Sequence, residues 1–381
     1  MPSHSFSLVL GGGGLKGLAH IGALQALEEA GLRPSGVVGS SIGSLIAAAW
    51  AAGRSVDYMR ERALRLRRKD VFQVAHTDMA FKRMQSPAVY RHEPLDHLIH
   101  ELVGDKTFDE LKHPLIVNTV DINSGMQVLW GLPGLRYVPV ADAVFASCAL
   151  PGILPPREIS GRWYVDGAVA DNLPVKAATV CGPGPIVAVD VSASMALRSE
   201  VEKSGFATTY ARGLEIVMQT MLERTLRLWR TPPLLLVHPR VEDYPMFVFD
   251  RTQELMAEGY RAMRQLVPEL LRLLEAPEEG IFPRTPVRIH VDRGRCIGCG
   301  ACALRAPGIF QMDNNPIPEA FNNYLRLHLP DPRKHKIYFD YGDQTLDAMY
   351  PPLQEKVDQI MKESGFSSSG WITRYFPGKD H

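Results

Sequence analysis

A serine flanked by two glycines is the clearest candidate for chemistry in this sequence. Ser41 lies in the pentapeptide Gly39-Ser40-Ser41-Ile42-Gly43, between a short apolar run at residues 36–39 and a longer one at residues 42–52. A serine on a sharp strand-to-helix turn presents its hydroxyl at a helix N-terminus, and the flanking glycines prevent collisions with the neighbouring strand and helix. The pattern therefore predicts that Ser41 is a nucleophile.

A glycine-rich loop precedes this serine, between a predicted strand at residues 5–10 and a predicted helix at residues 18–30. Its sequence is Gly11-Gly12-Gly13-Gly14-Leu15-Lys16-Gly17. Consecutive glycines present unobstructed backbone N–H groups and the following helix adds its dipole, so the loop is suited to bind an anion. A Walker phosphate loop is excluded because Lys16 is followed by Gly17 and not by Ser or Thr. The spacing also fits a dinucleotide-binding fingerprint, but a nucleophile 24 residues beyond Gly17 favours an oxyanion hole.

The third element is the tripeptide Asp166-Gly167-Ala168, which follows a predicted strand at residues 162–165. A serine hydroxyl needs a base, and a partly desolvated carboxylate within hydrogen-bond reach can serve. Asp-Gly is also a common hairpin signal, so the tripeptide alone leaves a turn and a catalytic base open. We interpret His20 and Cys148 as packing residues, and not as a base and a second nucleophile.

Together these three elements resemble the patatin-like phospholipases, and the resemblance covers residues 5–275. It implies a three-layer αβα fold in which Ser41 forms an acyl-enzyme and Asp166 is the base, with no catalytic histidine. It assigns the oxyanion hole to Gly12, Gly13, Gly14, Lys16 and Gly17, with Gly39, Gly43, Gly167 and Ala168 supporting the motifs. It also implies hydrolysis without a cofactor, on a phospholipid or other acyl-ester lipid at a peripheral membrane surface.

The apolar runs of the first 290 residues predict alternating strands and helices. Further buried strands are expected at residues 114–120, 127–130 and 186–191. Such alternation predicts a mostly parallel sheet with helices on both faces, and in these folds ligands lie at the carboxyl ends of the strands. The Arg-rich residues 60–69 follow helical spacing and predict a solvated helix face, with contact to anionic lipid as the alternative.

A cysteine cluster marks a change of character beyond residue 287. Cys296, Cys299 and Cys302 have the spacing with which a loop wraps an iron–sulfur cluster, and residues 287–313 resemble the first half of a bacterial-type ferredoxin. A four-iron cluster takes four thiolates, whereas Ala306 stands where a fourth cysteine would continue the run and no cysteine follows Cys302. A three-iron cluster, an external ligand and an empty or labile site remain open, and we favour the last.

Residues 315–381 resemble the C-terminal end of an α/β-hydrolase esterase, in which Asp347 and His381 would be the acidic and histidine members of a triad. No nucleophile elbow precedes this segment, so we interpret it as a truncated fragment without activity of its own. The predicted domains are therefore a hydrolase at residues 5–280, the ferredoxin-like segment and this tail.

Bulk composition limits the alternatives. The 381 residues carry 42 Lys and Arg against 42 Asp and Glu, so global charge offers no argument for a nucleic-acid partner, and we expect none. No secretory signal or membrane-spanning run is apparent, and an odd number of cysteines, five, indicates a reducing compartment. We expect a cytoplasmic lipid acyl hydrolase; an iron–sulfur electron-transfer protein and a Ser-His-Asp esterase that uses the tail are the alternatives.

Overall fold

The structure is a computed structural model that describes most of the chain in two compact units. The described residues are 5–73, 88–192, 205–284, 291, 302–303, 337–342, 351–366 and 371–376. The units are Met1–Thr285 and Pro286–His381.

In the first unit, strands and helices alternate along most of the chain. The strands are β1 Ser7–Leu10, β2 Gly36–Ser40, β3 Leu115–Asp121, β4 Gln127–Trp130, β5 Arg157–Ile159, β6 Arg162–Asp166, β7 Ile186–Val189, β8 Leu234–Val237 and β9 Ile281–Phe282. The helices are α1 Ala19–Glu29, α2 Ile42–Ala51, α3 Val56–Leu64, α4 Glu93–Val103, α5 Val140–Cys148, α6 Gly205–Leu228 and α7 Thr252–Glu275. Short 3-10 helices cover Gly14–Leu18, Arg68–Asp70, Phe108–Glu110, Gly167–Val169 and Ala177–Val180.

The strands of this unit form one mixed sheet with the order β5-β6-β3-β2-β1-β7-β8-β9, and β4 pairs with β3. The six neighbouring strands β3, β2, β1, β7, β8 and β9 are parallel to one another. The strands β4 and β6 pair antiparallel with β3, and β5 pairs antiparallel with β6. In the register of β1 and β2, Leu10 lies opposite Gly39. The glycine loop and the predicted elbow therefore leave the same edge of the sheet from adjacent strands.

Two apolar cores, one on each face of the sheet, give the unit its three layers. Alternate strand residues such as Leu8 and Leu10 belong to a core with α1, α2, α4, α5 and α7, while Val9 belongs to a second core with part of α6. Successive strand side chains point to opposite faces, so the buried strands are apolar on both sides. The predicted arrangement of a mostly parallel sheet between helical layers is confirmed.

Element boundaries agree closely with the sequence patterns except in the Arg-rich segment. The helix predicted there ends early: α3 stops at Leu64, and the backbone continues through Arg67 in extended conformation into a short 3-10 helix. Residues 65–69 thus lie on a connection that follows α3, and four of their side chains, Arg65, Arg67, Arg68 and Lys69, are exposed.

The second unit is described only in part. Strands β10 Ile337–Gly342 and β11 Trp371–Phe376 pair in parallel, and α8 Pro351–Glu363 lies between them in the chain. Asp347, His381, Cys296 and Cys299 lie outside the described residues, whereas Cys302 is described and exposed. Among the helices that are described, in either unit, none is both long and apolar enough to cross a bilayer.

Candidate active site

Ser41 lies on a strained turn between β2 and α2. Its backbone has φ 53° and ψ −131°, a region that non-glycine residues rarely occupy and that is concentrated at functional sites. A Cβ on Gly43 would lie 2.0 Å from the Leu10 carbonyl oxygen, and one on Gly39 would lie 2.3 Å from the Ser44 Cα. Both flanking positions therefore exclude any side chain.

A buried serine from α5 holds the turn in place. The Ser41 N–H donates to Ser147 Oγ over 3.0 Å, and the Ser147 hydroxyl donates to the Asn118 carbonyl over 2.7 Å. Ser147 is fully buried, so both bonds are shielded from water. The sequence pattern assigned Ser147 no such role, because the residue is 106 positions from Ser41 in the chain.

Asp166 ends β6 and its carboxylate is next to the nucleophile. Burial raises the pKa of Asp166 to about 7, while hydrogen bonds from the Ser41 side chain and the Ala168 backbone oppose that rise. The Ala168 N–H donates to Asp166 Oδ1 over 2.9 Å and fixes the carboxylate. A carboxylate with a pKa near 7 that receives the serine hydroxyl hydrogen bond has the properties of a general base at neutral pH.

The glycine loop lies against Ser41 and supplies free backbone donors. The Gly12 N–H donates to the Asn172 carbonyl, and Leu15 N–H donates to the Met246 carbonyl. Between them, the N–H groups of Gly13 and Gly14 make no hydrogen bond within the described part of the chain. A Cβ on Gly12 would lie 3.1 Å from the Ser41 Cβ, so there is little space between loop and nucleophile.

Two buried basic residues, Lys16 and His20, hydrogen-bond to backbone carbonyls in and near the glycine loop. Lys16 Nζ donates to the Ser192 carbonyl over 3.5 Å, and burial lowers the pKa of Lys16 to about 8 although Glu215 and Asp190 oppose the shift. His20 Nε2 donates to the Gly11 carbonyl over 2.8 Å, and burial lowers the pKa of His20 to about 4. His20 is therefore neutral at physiological pH. Its bond to the loop backbone agrees with the packing role expected of it.

A cavity of about 560 Å³ is lined by Ser41, by Asp166 and by residues from several helices. This volume lies within the range of ligand pockets, about 300–1,000 Å³. Its polar end carries Ser41, Asp166, Asn172, Gly13 and Gly14. Its remaining wall is almost entirely hydrocarbon, with side chains from five helices that include Leu18, Ile21, Leu45, Ile46, Ala49, Met59, Ala63, Leu95, Leu98, Leu102, Leu214 and Met218.

Other predicted residues take supporting places around the cavity. Gly12, Lys16 and Gly17 do not line it, and Gly17 instead packs against the Ile42 side chain. Cys148 does line it, but burial raises the pKa of the Cys148 thiol far above its ordinary value, which keeps it protonated and unreactive. Asn172, which the sequence did not single out, donates from Nδ2 to the Gly12 carbonyl over 3.1 Å.

The sequence of this region matches a known family. Residues 8–179 match the model of the patatin-like phospholipases, and this range contains the glycine loop, Ser41 and Asp166. This part of the chain is similar to patatin-like phospholipase domains. The match spans the sheet from β1 to β6, so it includes every strand end that the site uses.

The curated relatives match this chain over only part of their own length. An uncharacterized NTE family protein of Mycobacterium tuberculosis is 30% identical over 52% of this chain and 50% of its own. Human patatin-like phospholipase domain-containing protein 6 is 35% identical over 50% of this chain and 14% of its own. The chain thus spans half or less of the curated relatives it matches. The solved structure of VipD from Legionella pneumophila covers 96% of this chain with 14% identity and a TM-score of 0.39.

A second family model, the 4Fe-4S single cluster domain, matches residues 289–322. Three cysteines stand in this range, at 296, 299 and 302, with Ala306 at the place of a fourth. Within the described residues, no group of three or more His, Cys, Asp or Glu side chains forms a metal site, and Cys302 is solvent-exposed. The donor set does not fit a complete four-iron cluster.

Proposed function

We propose that the protein is a serine lipid acyl hydrolase that works through a Ser41–Asp166 dyad. The observation that carries this proposal is the buried Asp166 carboxylate beside Ser41, with both residues lining an otherwise largely apolar cavity. Such a cavity fits a fatty-acyl chain, because its hydrocarbon wall can pack against the apolar chain and its polar groups lie together at one end. The patatin-like domain and relatives named as phospholipases support the same chemistry.

In the first half-reaction, Ser41 Oγ attacks the carbonyl carbon of the ester and its proton passes to the Asp166 carboxylate. The carbonyl oxygen becomes an oxyanion that the N–H groups of Gly13 and Gly14 stabilise, with the N-terminus of α2 adding a favourable dipole. Collapse of this intermediate breaks the ester C–O bond. The proton on Asp166 then goes to the departing alcohol, and the acyl group remains on Ser41.

In the second half-reaction, Asp166 takes a proton from water as that water attacks the acyl carbon. A second oxyanion forms in the same place, and its collapse returns the proton to Ser41 and releases the fatty acid. His20 takes no part because its Nε2 is bound to the Gly11 carbonyl and a pKa of about 4 makes its ring a weak base. Lys16 stabilises the loop through the Ser192 carbonyl, and its charge raises the local positive potential.

Hydrolysis of a soluble p-nitrophenyl acyl ester by variants tests the proposal. Ser41→Ala should reduce turnover by on the order of 10³-fold or more, because nothing replaces the nucleophile. Cys181→Ala is the control, since Cys181 does not line the cavity and should be dispensable. Full activity in pure Ser41→Ala protein would refute the mechanism.

The esterase-like tail gives a second mechanism that variants can separate from the first. A Ser-His-Asp triad completed by Asp347 and His381 predicts that Asp347→Asn and His381→Ala each abolish activity in the full chain. The dyad predicts that both variants remain active. We further infer, from the cysteine count and the nature of the relatives, action at a membrane surface in a reducing compartment.

The iron–sulfur match supports a second candidate function for residues 289–322, separate from hydrolysis. Visible absorbance and iron content after anaerobic reconstitution test it directly. Stable iron with a charge-transfer spectrum, lost in Cys299→Ser, would support a cluster, and colourless protein would remove this candidate. Hydrolysis by the dyad should be the same in either outcome.

A further inference from the structure

We propose that the mouth of the cavity is built to dock on an anionic phospholipid bilayer through a basic–aromatic rim. This rim consists of Arg65, Arg67, Arg68, Lys69, Phe72, Tyr90, Phe247 and Phe249. The proposal rests on the lipid acyl hydrolase function above and identifies the surface through which a bilayer lipid would enter.

The aromatic part of the rim is a single contacting group of rings. Phe72 is at its centre, with ring centroids 4.7 Å from Tyr90, 4.9 Å from Phe247 and 6.1 Å from Phe249. Phe247 is 41% exposed although it also lines the cavity, as does Phe72. An apolar surface that continues from solvent into an acyl cavity allows a chain to leave a bilayer without crossing water.

The basic part of the rim borders these rings directly. Arg68 donates to the Tyr90 hydroxyl over 3.3 Å. Leu66, within the basic run, and Val71, just after it, line the cavity. Leu64, at the end of α3, is 53% exposed beside the run. Basic side chains beside exposed apolar groups are the usual signature of proteins that lie on anionic membranes.

The charge of this segment is local and only partly compensated. Residues 60–73 contain six basic and two acidic residues in a chain that is neutral overall. Of the two acids, Asp70 accepts the Arg67 backbone N–H over 2.9 Å and Glu61 lies 3.6 Å from Arg65 at the surface. Among the described residues, Arg67, Arg68 and Lys69 form no ion pair, so their charges can meet phosphate oxygens. Their interaction with a bilayer should weaken with salt.

A different exposed apolar face offers a competing docking surface. On α6, the side chains of Ile216, Val217 and Met221 are exposed, whereas Leu214 and Met218 on its other side line the cavity. This face lacks a basic cluster comparable to residues 65–69. We therefore assign the bilayer contact to the rim and use α6 as a test arm.

The test measures vesicle binding by the full chain in a Ser41→Ala background, which prevents hydrolysis during the measurement. The vesicles are phosphatidylcholine, with or without about 30 mol% phosphatidylserine. The rim variant is Arg67→Gln/Arg68→Gln/Lys69→Gln. The charge-matched control is Arg33→Gln/Lys112→Gln/Arg230→Gln, whose exposed side chains precede β2, β3 and β8 at the opposite edge of the sheet.

We expect the parent to bind phosphatidylserine vesicles more tightly than neutral ones, and to lose that preference as salt is raised. The rim variant should bind on the order of 100-fold more weakly, because each of the three lost basic groups should lower the affinity about fivefold. The control should bind like the parent. In a Ser41 background, both variants should hydrolyse the soluble ester at the parent rate. That separate readout distinguishes a failed docking surface from a failed hydrolase.

Three results would overturn the proposal. The rim variant could bind as tightly as the parent, or the control could lose as much affinity, which would show that only net charge matters. Binding could instead be lost only in Ile216→Gln/Val217→Gln/Met221→Gln, which would place the bilayer on α6. Phe247→Gln adds a further check, since it should weaken binding to neutral vesicles as well.

Discussion

At the residue scale, the site depends on one carboxylate whose proton affinity is set by burial. Asp166 is buried among apolar side chains, which raises its pKa to about 7, and the Ser41 hydroxyl and Ala168 N–H limit the rise. A base with a much lower pKa would accept the serine proton poorly, and one with a much higher pKa would already be protonated. In the proposed mechanism, the position and desolvation of Asp166 allow one carboxylate to act as the base without a histidine.

The first prediction concerns the pH dependence of hydrolysis. Asp166 must be ionised to act as the base, so kcat/KM for a soluble ester should rise with pH and reach half its maximum at about pH 7. A stopped-time assay between about pH 5 and 9 measures this limb. An acid limb near pH 4, the ordinary value of an exposed carboxyl, would contradict the raised pKa.

The second prediction separates His20 from proton transfer. His20→Gln should lower kcat, because the bond to the Gly11 carbonyl that supports the glycine loop is altered, while the acid limb stays at the same pH. A group whose pKa is lowered to about 4 does not titrate in that range. If the midpoint of the limb moves in His20→Gln, then His20 is the titrating base.

At the element scale, adjacent parallel strands bring the loop and the elbow together. Leu10 of β1 lies opposite Gly39 of β2, so both glycine motifs begin at the same level of the sheet. β6 runs antiparallel beside β3, with Asp166 opposite Thr119, and delivers the carboxylate from the other side. The site is therefore a property of three strand ends, which are fixed by the sheet and not by the loops alone.

The third prediction uses the space around a glycine of the elbow. A Cβ on Gly43 would lie 2.0 Å from the Leu10 carbonyl oxygen, so Gly43→Ala must displace β1 or α2. We expect a loss of about 1–3 kcal/mol in the free energy of unfolding and a large loss of activity.

Gly213→Ala is the matched control for this change. Gly213 lies within α6 and a Cβ there meets nothing within 4 Å, so it should stabilise the fold by about 0.5–1 kcal/mol. Thermal or denaturant unfolding compares the two variants. Equal stability of Gly43→Ala and the parent would show that the elbow is not as tightly packed as described.

The sequence predicted the elements that local pattern determines, and missed those that depend on distant packing. Short apolar runs ended by glycine marked β1, β2, α1 and α2 within two residues, because each run is continuous in the chain. Ser147 reaches Ser41 only through the fold, and the cavity wall combines five helices that no motif links. The early end of α3 was also missed, since Leu66 continues the helical spacing although it belongs to the following connection.

At the scale of the whole molecule, the buried Asp166 carboxylate lowers the free energy of unfolding when it is ionised. The unfolded chain releases the Asp166 proton near pH 4, whereas the folded protein holds it until about pH 7. Between these values the folded state binds more protons than the unfolded state, so this contribution to stability falls as pH rises. It is fully lost above pH 7, where Asp166 is ionised.

The fourth prediction follows from this sign. Asp166→Asn removes the buried charge, so it should raise the free energy of unfolding at about pH 8. The increase should be on the order of 4 kcal/mol at most, because each unit of pKa shift corresponds to about 1.4 kcal/mol. At about pH 4 the two proteins should have similar stability. Denaturant unfolding at both pH values checks this, and a variant that is less stable at pH 8 would contradict a buried, weakly paired Asp166.

The most direct test of the central claim is covalent labelling of the nucleophile. A fluorophosphonate reacts with an activated serine, and peptide mass spectrometry locates the adduct. We expect one adduct, on the peptide that contains Ser41, with labelling lost in Ser41→Ala and strongly slowed in Asp166→Asn. An adduct on another residue, or undiminished labelling of Ser41→Ala, would contradict the assignment of Ser41 as the nucleophile.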